Sequence, residues 1–196
     1  GCNISYKIYT PQGGSDYLMI LGHGFARGGE TMTEWGKHFS SWGLTVLLPS
    51  NMCHYNILNG VDHELNGTNL MELANLHSES NHIYGGHSAG GLASLIAASF
   101  DPNAIGLIGL DTTDTGDQPG IEPEMGQEFA PFVTVPSFSL IGEPSTCNTE
   151  NNAIPLFALT SDSTTIRING ADHCDYENPT NWGCESFCLN QNGSSF

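Results

Sequence analysis

The chain has 196 residues, with Lys+Arg 4 against Asp+Glu 21 and a formal net charge of −17. That length suits one domain with one substantial core, and therefore one site. Only 13% of residues are charged, about half the usual ~25%, so the imbalance comes from missing bases. A chain without a basic patch has nothing with which to displace counterions from nucleic acid or an anionic membrane surface, and those partners are excluded.

Short apolar runs alternate with helix-period segments along the whole length, the pattern of a mostly parallel sheet covered by helices. The first strands are expected at Ile4–Tyr9 and Tyr17–Leu21. Thr31-Met32-Thr33-Glu34 then reads as a capping box, with Trp35, Phe39 and Trp42 at helical spacing behind it. A third strand is expected at Leu44–Leu48 and a helix over Asn69–Ser78, with Leu70, Leu73, Ala74 and His77 on one face. His82–Tyr84 is the next strand. A helix opens after Ser88, with Leu92, Leu95, Ile96 and Ser99 as its inward stripe, and stops at Asp101-Pro102. The remaining strands are expected at Ile105–Leu110, Ser137–Ile141 and Thr164–Ile168, with a weaker helix at Asn152–Leu159. Thr112–Val135 contains three prolines and three glycines without periodicity and reads as a long loop. No insertion is large enough for a lid domain, and no run of about 18 apolar residues spans a membrane.

The chemistry gathers at Gly86-His87-Ser88-Ala89-Gly90, a G-x-S-x-G pattern between a short strand and an amphipathic helix. A strand-to-helix turn that thrusts a serine Oγ out of the sheet is sterically strained, so its neighbours must be small. The helix that follows aims its free N–H groups toward an anion formed at the serine. Leu21-Gly22-His23-Gly24-Phe25-Ala26, after the second strand, lies where an oxyanion hole needs its other donor. The backbone N–H groups of Phe25 and Ala89 are the expected pair. A phosphate-binding turn is the competing reading, and no lysine follows to support it.

A nucleophilic serine needs a base. Of eight histidines only His173 follows the last strand, where the chain returns to the carboxyl edge of the sheet. His87 occupies the variable position of the motif. Asp111, at the end of its strand and twenty-three residues after Ser88, is the favoured acid, with Glu143 and Asp114 as alternatives. Phe25, Phe129 and Phe132 are candidate cleft aromatics, or loop packing. Asp111, Asp114 and Asp117 match no calcium-loop spacing, so no metal and no cofactor are expected.

Together these motifs resemble the α/β-hydrolase fold, and more closely its small ester hydrolases of the chlorophyllase, dienelactone-hydrolase-like and bacterial polyester hydrolase (cutinase-like) groups. Leu21–Phe25 with Glu34-Trp35-Gly36 and Ser41–Val46, and Ile154–Phe157 leading to Ile168–His173, look like polyester hydrolases. Ile108-Gly109-Leu110-Asp111 is similar to chlorophyllases and platelet-activating-factor acetylhydrolases, whose aspartate occupies that strand end. The serine departs from a true dienelactone hydrolase. Gly142-Glu143-Pro144-Ser145, with serine where an aspartate is expected, departs from polyester hydrolases. The seven expected strands are one fewer than the fold's usual eight, and the resemblance implies a lidless serine esterase acting through an acyl-enzyme on a small-molecule or polymeric ester. An acyltransferase or peptidase with the same triad is the first alternative. A hydrolase-fold binding protein without turnover is the second.

Six cysteines, none spaced C-x-x-C, read as disulfides rather than zinc ligands and point to a mature, exported, secreted or periplasmic chain, expected as a monomer. Cys174, Cys184 and Cys188 are the clearest local candidates. Cys2 either bridges, for example to Cys53, or is the lipid-bearing residue of a lipoprotein.

Overall fold

A computed structural model of the chain describes residues 3–50, 55–56, 60–117 and 123–188. In chain order the strands are β1 Tyr6–Tyr9, β2 Leu18–Gly22, β3 Thr45–Pro49, β4 Tyr55–Asn56, β5 Gly60–Val61, β6 His82–His87, β7 Ala104–Leu110, β8 Pro136–Ile141 and β9 Asp162–Arg167. The helices are α1 Thr33–Ser41, α2 His63–His77, α3 Ala89–Phe100, α4 Gly126–Phe129, α5 Ala153–Phe157 and α6 Trp182–Cys188. Short 3₁₀ turns cover Gly29–Met32, Ala130–Phe132 and His173–Tyr176.

Seven strands form one sheet in the order β1-β3-β2-β6-β7-β8-β9. Only β1 is antiparallel, paired to β3 from Tyr6↔Pro49 to Tyr9↔Val46. Strands β4 and β5 form a separate small hairpin. The parallel centre is buried on both faces, which is why β2 is continuously apolar rather than alternating. Leu18 and Ile20 join Leu47, Tyr84 and Leu107 under α2, α3 and α5. Met19 and Leu21 face the other way, with Val46, Leu48 and Leu110 against Met32 and the α1 side. Each such side chain contributes about 1.5–3 kcal/mol by leaving water.

Helix α3 is buried all round from Ala89 to Ala98, a wider burial than the expected stripe. Its close contact with α2 needs a small residue on that neighbour: a Cβ on Gly67 of α2 would stand 2.6 Å from Ile96 Cγ2. Helix α2 also begins earlier than periodicity predicts. The Asp62 side chain caps it, accepting from Leu65 N at 2.8 Å. The expected Thr31/Glu34 capping box does not form. Gly29–Met32 winds as a 3₁₀ turn, and Thr31 Oγ1 donates back to Gly28 O at 2.9 Å. The long segment after Asp111 is not wholly irregular, because α4 and the Ala130–Phe132 turn lie within it.

At the amino end of the sheet, Asp101 Oδ2 accepts from His82 Nδ1 and Tyr84 Oη, each at 2.6 Å, in a fully buried cluster. Among the described residues, no helix is long and apolar enough to cross a membrane. Two disulfides, Cys147–Cys188 and Cys174–Cys184, join the carboxyl-terminal helix to loops at the top of the sheet. The Sγ atoms of Cys174, Cys184 and Cys188 lie within 4.8 Å of one another because these bonds pack side by side. Sulfurs already joined in disulfides are not thiolates and cannot act as metal ligands. The expected bridge from Cys2 to Cys53 lies outside the described residues.

Candidate active site

Strand β6 ends at His87, and the chain turns through Ser88 into α3. Ser88 has φ 54° and ψ −124°, a left-handed backbone costing about 1–3 kcal/mol that survives only where its surroundings impose it. Ser88 N–H donates to Leu110 O at 3.1 Å, tying the turn to the end of β7. The small neighbours are required by contact. A Cβ on Gly86 would stand 2.4 Å from Gly90 O, one on Gly90 2.4 Å from His23 O, and one on Gly91 2.2 Å from Thr112 Oγ1. Ala89 N–H, at the first position of α3, has no intrahelical acceptor and points out of the helix start.

His173 opens the 3₁₀ turn after β9. Asp172 caps that turn, accepting from Cys174 N at 2.7 Å and Asp175 N at 3.2 Å, while Asp175 accepts from Asp172 N at 2.8 Å. The His173 ring reaches Asp111, with Nδ1 2.6 Å from Oδ2. Asp111 is fully buried and takes a left-handed φ of 44° at the end of β7. Its Oδ1 accepts from Gly142 N at 2.8 Å, and its Oδ2 accepts from Asn148 Nδ2 at 3.1 Å. An ionised carboxylate only accepts, so it selects the Nδ1–H tautomer and leaves Nε2 with its lone pair.

The alternative acids stand elsewhere. Glu143 is exposed, accepts from Gly170 N at 3.0 Å and lies 3.7 Å from Arg167. Asp114 is buried, and its Oδ1 holds Met125 N and Gly126 N at 3.1 and 2.8 Å. Burial raises its pKa above the ordinary carboxylate value, with Glu124 adding to the rise. Of the three candidates, Asp111 alone is hydrogen-bonded to His173.

Besides Asn148, the structure adds His87, Arg27 and Glu177, whose parts in the site sequence reasoning missed. His87 is buried against His173, with ring centroids 4.5 Å apart, and its Nε2–H donates to His173 O at 2.9 Å. Its Nδ1 lies 3.7 Å from Glu177 Oε1. Arg27 grips Glu177 with two bonds of 2.7 Å and donates to Asn181 at 2.8 Å. Burial, then the neighbouring His173, pushes the His87 pKa well below the ordinary imidazole value. Burial lowers that of His23 too. A sequence signal for the pair existed: with Lys+Arg 4 in the chain, an arginine two positions after Phe25 is conspicuous.

Two cavities meet at Ser88. The larger, about 570 Å³, is lined by Ala89, Thr113, Thr115, Glu124 and Thr149 among others. The smaller, about 230 Å³, is lined by His173, His87, Arg27 and Glu177 with disulfide sulfurs. Phe25 and Cys147 border both. Phe129 packs edge-on against Phe100 at 5.5 Å, and Phe132 is 67% exposed; neither lines these cavities. Of the three candidate cleft aromatics, only Phe25 is in the cleft.

No protein-family model and no curated protein sequence matches the chain. Solved structures match by shape. An α/β hydrolase enzyme from the metagenome of sediments of the Mar Chica lagoon, Morocco, is 15% identical with a TM-score of 0.72, covering 97% of this chain and 94% of that one. Est1E from Butyrivibrio proteoclasticus, with ferulic acid bound, is 16% identical with a TM-score of 0.71 over 96% and 95%. A monoacylglycerol lipase from Paleococcus ferrophilus is 14% identical with a TM-score of 0.70 over 88% and 91%. At such identities the likeness is one of fold: the chain has the α/β-hydrolase fold.

Proposed function

We propose that this chain is a single-domain serine carboxylic ester hydrolase, with Ser88 as nucleophile, His173 as base and Asp111 as the acid that orients it. The observation carrying this reading is the 2.6 Å His173–Asp111 contact beside a serine held in a strained strand-to-helix turn. Ser88 Oγ attacks the ester carbonyl carbon while His173 Nε2 takes its proton. The oxyanion of the tetrahedral intermediate accepts from Phe25 N–H and Ala89 N–H, each donor contributing about 2.7–4 kcal/mol. His173 then protonates the departing alcohol, leaving the acyl group on Ser88. Water, deprotonated by His173, attacks that acyl-enzyme, releases the acid and restores the serine.

Structural likeness to an esterase and a lipase supports ester chemistry. The acid at the end of β7 supports the chlorophyllase-like arrangement over the polyester-hydrolase one. Two disulfides support a secreted or periplasmic location. The test is hydrolysis of short p-nitrophenyl esters by the wild type and Ser88→Ala. The variant should lose activity at least ~10⁴-fold while keeping its melting temperature; equal rates would remove Ser88 from the chemistry.

A further inference from the structure

The two cavities fix a direction for the substrate. In the mechanism above, the alcohol oxygen must leave toward His173, since that ring supplies its proton. His173 lines only the smaller cavity. Ala89, on the oxyanion side, lines only the larger one. Resting on the serine-esterase reading, we propose that the larger cavity holds the acyl chain, the smaller holds the alcohol, and the substrates are esters of bulky uncharged acids with short alcohols.

Size supports the assignment. About 570 Å³ lies inside the range of about 300–1,000 Å³ for sites that enclose a sizeable ligand, and about 230 Å³ falls below it. The smaller cavity is also walled by groups that cannot readily give way. Arg27 and Glu177 are locked together, and Cys147, Cys184 and Cys188 are held in disulfides. The larger cavity opens past Thr149, which is exposed at its rim.

Charge narrows the acyl group further. The described lining of the larger cavity includes the carboxyl residues Asp114 and Glu124, the threonines Thr113, Thr115, Thr146 and Thr149, and no lysine or arginine; its one basic side chain, His63, is bonded to Thr115 and kept toward its neutral form by burial. Glu124 is exposed and accepts from Asn152 and Gln127, neutral donors that leave its charge uncompensated. An acyl chain ending in its own carboxylate would meet like charge there, inside a protein of net charge −17. The cavity therefore selects against monoesters of diacids.

Ethyl octanoate and octyl acetate are isomers with the ester reversed, so they differ in direction and not in composition. The wild type should hydrolyse ethyl octanoate with a kcat/KM about 50-fold above that for octyl acetate, within the range that pocket fit can supply. Thr149→Trp, which fills the mouth of the larger cavity, should shrink that ratio about tenfold. Monoethyl suberate should react more slowly than ethyl octanoate, with the gap narrowing as salt is raised. Ser88-dependent turnover that favours octyl acetate, or is indifferent between the isomers, would overturn the assignment while sparing the esterase reading. Equal rates for suberate and octanoate would overturn the charge rule. Absence of Ser88-dependent turnover of either isomer would overturn both the esterase reading and the direction built on it.

Discussion

Replacing Arg27 with methionine isolates what the buried ion pair does for the site. The Glu177 carboxylate is fully buried and the Arg27 side chain only 12% exposed, with N–O contacts of 2.7 Å at both oxygens. In Arg27→Met both bonds vanish, and the carboxylate is left facing His87 Nδ1 at 3.7 Å. Breaking a buried pair from one side costs about 3–5 kcal/mol, a large share of the about 5–15 kcal/mol that stabilises a typical domain. Arg27 also helps hold the His87 pKa down, so its loss favours a proton on His87 Nδ1, the nitrogen that faces Glu177, while Nε2–H still donates to His173 O. Urea unfolding of the wild type, Arg27→Met, Glu177→Leu and the double variant forms a complete cycle, readable by tryptophan fluorescence. Each single variant should lose about 3–5 kcal/mol, and the double variant should recover at least half of the loss, since an apolar pair leaves no uncompensated charge. Below the melting range, kcat should stay depressed even in the double variant, because the pair ties the loop bearing Phe25 to the turn bearing His173. A double variant less stable than either single one, or a single cost under about 1 kcal/mol, would refute this reasoning.

The acid assignment and the buried histidines carry further expectations. Asp111→Asn should lower kcat about 10⁴-fold by unsettling the His173 tautomer, whereas Glu143→Gln should stay near wild type; steady-state kinetics on one ester separates them, and the reverse order would move the acid to β8. His87, His23 and His63 all have pKa values pushed below the ordinary 6.5 by burial. They are neutral in the fold, so their stabilisation is complete above the unfolded pKa and is lost as pH falls from there through the folded values. Asp114, raised above 3.8, runs the other way: its contribution is present below that value and is lost as pH rises through its folded pKa. Melting temperature should therefore drop on acidification from neutrality toward pH ~5, less steeply in His87→Asn; an unchanged slope would remove His87 from the account.

The sheet was legible because burial on both faces writes continuous apolar runs, and β2, β3 and β7 fall where those runs lie. The sharp turn at Ser88 was legible because its glycines answer to local crowding. His173 followed from topology, since the last strand delivers its loop to the carboxyl edge. Helix α2 was only half visible: Asn66, Gly67 and Thr68 look like loop residues, and only contact with Ile96 shows why glycine belongs there. Of the ion pair only Arg27 stood out, as one of few bases; its partner was hidden because Arg27 and Glu177 lie 150 residues apart, and no local pattern links the loop after β2 to a turn beyond the last strand. Asn148, which braces Asp111, was hidden for the same reason.

Cys184 and Cys188 share one short helix, while their partners flank the contact between His173 and Asp111: Cys174 directly follows His173, and Cys147 precedes Asn148. Closing loops of 10 and 41 residues is worth about 2.7 and about 3.9 kcal/mol in the chain-entropy model. During synthesis, Ser88 and Asp111 emerge long before residue 188. A nascent or reduced chain therefore carries Ser88 and Asp111 while the turn bearing His173 is not yet covalently fastened. Oxidation of α6 onto these loops can follow only once both cysteines of each bridge have been made, so the contact between Asp111 and His173 gains its covalent brace late.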